Sequence, residues 1–173
     1  SIADLKLDMD EKPGGKARAI DLFRTTLAKS AFSSPAACVE TVTNRLKRIA
    51  SGQARGSDRD VSALEQVRDA FSAVTPELYQ KYAELRKLLK EIKWTGRDKR
   101  DRLVIFSERI ATLRWLHERL ASDLALPAEA VATVDGSQSE GDETIQKALE
   151  DFGQENAAIR ILLASDIASE GLN

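Results

Sequence analysis

The sequence predicts an α/β chain in which an N-terminal helical segment, residues 1–95, precedes an incomplete parallel sheet flanked by helices, residues 96–173. Apolar residues recur three and four apart before residue 95, and short strand-like runs alternate with helical patterns after residue 102. The composition is that of a globular protein, 42% hydrophobic and 31% charged with a formal net charge of −2, which argues against a disordered or collagen-like chain. No apolar run approaches the roughly 20 residues that span a bilayer, and no signal-peptide pattern is present. The single cysteine, Cys38, cannot form an internal disulfide, so a cytoplasmic protein without membrane contact is expected. One cysteine and one histidine, His117, argue against a zinc site built from soft ligands. The balanced charge argues against a free-standing nucleic-acid binder, but not against a motor fragment whose basic groove is shared with another domain.

In the first segment, Ile20, Phe23, Leu27 and Ala31 lie on one face of a helix over residues 17–30. Ser34 and Pro35 form a cap and first-turn pair for a second helix, carrying Val39, Val42, Leu46 and Ile49 and running out at Ser51-Gly52. After a polar loop from Gly52 to Asp60, a third helix carries Val61, Leu64, Val67 and Phe71. Thr75-Pro76-Glu77 is expected to start a long fourth helix with Leu78, Tyr82, Leu85, Leu89 and Ile92 as its buried stripe.

In the second segment, Leu103–Phe106 is a short continuous apolar run that suits a buried parallel strand. Residues 109–124 form an amphipathic helix through Ile110, Leu113, Leu116, Leu120 and Leu124. Val131–Val134 is the second strand, a helix follows from about Asp142 to Phe152, and Ile159 to Ala164 is the third strand. This alternation requires crossover connections and hence a parallel sheet, whose working loops lie at the carboxyl ends of the strands. Those ends are Ser107-Glu108, Asp135-Gly136 and Ser165-Asp166. The pattern stops at Asn173 just after a strand end, without the covering helix a complete domain would add, so a truncated domain is expected.

The run from Ile161 to Asn173, ILLASDIASEGLN, delivers small and acidic residues to the sheet edge, then a glycine that lets the backbone approach a ligand. Read from the residues alone, it is equally an ordinary strand-to-loop transition. It resembles helicase motif V: an apolar strand, Ala, Thr or Ser, Asp, a small residue, Glu, Gly, an apolar residue and Asn. Arg102–Glu108, with Thr112 and Leu116 following, resembles motif IV. Val134-Asp135-Gly136-Ser137 and Phe152 are similar to the element between them. The arginine often found early in the intervening helix is absent, Glu143 and Ile145 standing there, and the spacing from Gly136 to Phe152 is slightly long. Together these elements, covering about residues 78–173, resemble the C-terminal RecA-like lobe of bacterial Swi/Snf-type helicase-like ATPases.

The resemblance implies a motor of two RecA-like lobes that clasps ATP and Mg2+ and works on DNA, double-stranded DNA being the expected form. Its reaction is in-line attack of water on the γ-phosphate, most ligands coming from the first lobe. By transfer of positions, Ser165 and Asp166 meet the nucleic-acid backbone and couple it to the cleft, Ser107 and Glu108 face the nucleic-acid groove, and Glu170, Gly171 and Asn173 lie nearer the nucleotide. The partners implied are DNA and the first lobe of the same parent chain. The chain alone is expected to be inactive. Its sole Gly-Lys, Gly15-Lys16, is followed by Ala17 and lacks the rest of a phosphate loop, and the arginines of motif VI would fall after Asn173.

Other features read more simply. Thr95–Arg102 is basic but diluted by Asp98 and Asp101, and fits a solvated linker. His117 fits a surface or boundary position, Trp94 and Trp115 fit packing, and Cys38 fits a buried apolar site. A non-enzymatic, flavodoxin-like signalling module is the alternative, since Glu108, Asp135 and Asp166 stand at three strand ends where a cation could bind. It lacks the acidic pair after the first strand and the lysine at a later one that such receivers need.

Overall fold

A computed structural model describes residues 16–135, 142–154 and 157–165, which divide into two compact units between Tyr79 and Gln80. The first unit holds three helices: α1 (Lys16–Ser33), α2 (Pro35–Ala50) and α3 (Asp58–Ser72). They share one core, in which buried Leu27, Cys38, Val42 and Leu64 are packed about by Phe23, Ala31, Leu46, Ile49, Val67 and Phe71. Most of the helical-face residues read from the sequence lie in this core, whereas Ile20, Val39 and Val61 are half-buried outside it. Cys38 is fully buried, and desolvation pushes its thiol up to about 11. That environment makes it an apolar filler rather than a nucleophile.

Ser34 caps α2 as its sequence predicts, its Oγ accepting a hydrogen bond from Ala37 N at 3.1 Å, with Pro35 at the first helical position. Gly52, just past the end of α2, takes the left-handed conformation at φ 72° that glycine adopts without a steric cost. A second cap lies in the polar loop. The Ser57 Oγ accepts from Asp60 N at 3.2 Å, and the Asp60 carboxylate accepts from Ser57 N at 2.8 Å. This reciprocal box sits on a carboxylate only 3% exposed. Asp60→Ala removes one half of it and should destabilise the helical unit by about 1–2 kcal/mol, read as a lower urea midpoint at unchanged slope.

The fourth helix departs from expectation. Residues 75–79 form a turn, closed by Leu78 N and Tyr79 N both donating to the Thr75 carbonyl at 3.0 Å, and α4 runs only from Gln80 to Glu91. The Tyr79 hydroxyl donates to the Ser33 carbonyl, holding that turn to the helical unit. Of the expected stripe, Tyr82 and Leu89 are buried and Leu85 is half-buried, whereas Leu78 and Ile92 are exposed. Leu78 precedes the helix and Ile92 follows its last turn, so neither continues the face that α4 buries.

α4 belongs to the second unit. There the Tyr82 hydroxyl donates to Asp123 Oδ2 at 2.7 Å, and its ring meets Trp115 edge-on, with centroids 4.9 Å apart. Trp115 is thus a packing residue, as its sequence position suggests. Lys93 and Ala125 stand at φ 56° and 52°, each just past a helix end where glycine would be unstrained.

The sheet holds three parallel strands, β1 (Leu103–Phe106), β2 (Val131–Val134) and β3 (Ile161–Ala164), in the order β1-β3-β2. β3 starts two residues later than the apolar run suggests, because Arg160 N pairs one step earlier, with Ala130 O. The chain crosses from β1 to β2 through α5 (Ile110–Asp123) and returns to β3 through α6 (Asp142–Gly153). Crossovers of one hand taken in opposite directions put the two helices on opposite faces. The contacts agree: Leu149 and Phe152 of α6 pack on Val134, Leu162 and Ala164, while His117 of α5 bonds Thr133, whose side chain points to the other face. His117 is an exposed helix residue 3.0 Å from the Thr133 hydroxyl, a boundary position.

Burial differs among the three strands. All four residues of β3 are fully buried, whereas β1 is half-buried and ends on Phe106, which is half-exposed. The expectation that β1 is a buried strand is not met: it pairs on one side only and its outer face lacks the cover that keeps Val131 and Val134 of β2, the other edge strand, buried.

Candidate functional site

The three strands end level with one another. Phe106, Ala164 and Val134 are partners across the sheet, and the ladder runs one residue further, with Ser107 N donating to Ala164 O and Ser165 N donating to Val134 O, both at 3.0 Å. Ser107, Ser165 and Asp135 therefore stand in a row at the carboxyl edge, Ser165 in the middle because β3 is central. This is the edge at which parallel α/β sheets bind ligands. Its depth follows from the sequence, since continuously apolar strands force small or polar residues to the points where the chain leaves the core.

The three residues are held differently. The Ser107 Oγ accepts a hydrogen bond from Arg109 N at 3.1 Å, folding the chain tightly into α5. Asp135 and Ser165 are buried, at 4% and 5% exposed. The Ser165 Oγ has no hydrogen-bond partner among the described residues, although burial of a lone hydroxyl is costly. It is the one side chain of the row with an uncommitted donor. Glu108, also expected near the groove, is exposed. Asp166, Glu170, Gly171 and Asn173, together with Gly136 and Ser137, lie outside the described residues.

Sequence reasoning found Ser107, Asp135 and Ser165 as strand-end residues, but it assigned a role at the nucleic-acid side only to Ser107 and Ser165, and gave Asp135 a possible ligand role only in the alternative cation site. Among the described residues no group of three or more His, Cys, Asp or Glu side chains could hold a metal ion. The row can offer a ligand oxygen one hydrogen-bond donor, the Ser165 hydroxyl, which has no partner among the described residues, with the buried Asp135 beside it.

The basic stretch after α4 is a structured loop. The Asp101 carboxylate accepts from Thr95 N and Gly96 N, at 3.2 and 2.9 Å. Arg100 hydrogen-bonds Asp98 at 3.1 Å and holds that carboxyl down, to about 2. Arg102 donates to the Phe152 and Gln154 carbonyls at 3.0 and 2.8 Å, tying the loop to the end of α6. Among the described residues no helix is long and apolar enough to cross a membrane.

No protein-family model, curated protein or solved structure matches this chain.

Proposed function

We propose that the chain is part of the second, RecA-like lobe of a DNA-dependent ATPase motor of the Swi/Snf type, inert alone and coupling DNA contact to an ATP cleft completed by a first lobe. The observation that carries the reading is the row Ser107–Ser165–Asp135, in which two of the residues assigned by resemblance to the nucleic-acid side fall on adjacent strands at the working edge. The parallel sheet with helices on both faces is compatible with such a lobe. Bound ATP and Mg2+ would supply the phosphoryl chemistry. This chain's part is to offer the Ser165 hydroxyl to phosphate oxygens without reading sequence, as a translocating motor requires.

The test is the ATPase activity of the intact protein with and without double-stranded DNA, for the wild type and for Asp166→Ala, beside the 173-residue chain. The wild type should be stimulated by DNA, the variant should lose about tenfold or more of that stimulation, ~1.4 kcal/mol in barrier, and the chain alone should show none. An intact wild type without DNA-stimulated hydrolysis would overturn the reading in favour of a non-enzymatic interaction module.

A further inference from the structure

We draw no further inference here: the strongest candidate, the outer edge of β1 with its half-exposed Phe106, has no paired strand among the described residues, and nothing in the structure shows what covers it.

Discussion

Leu162→Ala should destabilise the α/β unit by about 3 kcal/mol, within the 2–5 kcal/mol of buried leucine truncations. Leu162 is fully buried in the central strand, in one cluster with Val134, Ala164, Leu149 and Phe152. Both neighbours along its strand pair, Val104 and Ala132, lie at the same level, so the cavity opens between three strands and α6 and has no mobile wall to collapse onto it. Urea unfolding read by far-ultraviolet circular dichroism measures the effect. Val104→Ala, on the half-buried edge strand, should cost about 1 kcal/mol in the same assay, and the contrast tests whether sheet position sets the energetics. Equal losses at the two positions would contradict the order β1-β3-β2.

Tyr82→Ala should cost about as much, 3–5 kcal/mol by the measure of buried aromatic truncations. The side chain is 1% exposed, meets Trp115 edge-on and donates to Asp123, so its removal empties a large site and leaves a carboxylate without its donor. Burial and that hydrogen bond also push the Tyr82 phenol well above the usual tyrosine range. The sign follows: the folded form holds the proton more tightly than the unfolded chain, so the contribution is complete below pH 10 and declines as pH rises beyond it. Tyr82→Phe separates the parts. It keeps the ring contact and should lose only about 1–1.5 kcal/mol, with the alkaline decline reduced. Trp115 fluorescence reports both variants, since its ring lies against the substituted one. A Tyr82→Ala chain as stable as the wild type would mean that α4 is not held by this side chain.

Much of this architecture was legible because it rests on local rules. Ser34-Pro35 announces a helix start through side-chain chemistry confined to four residues, and the faces of α1, α2 and α3 follow from spacing alone. The Ser57–Asp60 box was hidden, because an aspartate took the place where a longer acidic or amide side chain is the usual signal. Thr75-Pro76-Glu77 looked like a helix start, yet two amides converging on the Thr75 carbonyl closed a turn instead. Leu103–Phe106 and Ile161–Ala164 are alike in composition, and nothing within either run distinguishes an edge strand from a central one. Of the candidate site, the strand ends could be read because apolar runs stop there. The neighbourhood of Ser107, Ser165 and Asp135 could not, since it depends on which strands pair. That the Ser165 hydroxyl has no partner among the described residues is likewise a property of packing in three dimensions.

The strand order also bears on how the chain is made. β1 and β2 share no hydrogen bonds, and each is joined to the sheet only through β3, the last of the three to leave a ribosome. During synthesis β1 and β2 should therefore lack a pairing partner among these strands until residues 161–164 arrive. The helical unit, complete by Tyr79, has no such delay. A nascent chain stalled after Val134 should therefore hold a folded helical unit beside an uncollapsed sheet, which exposes Leu103–Phe106 to chaperones until the central strand is inserted.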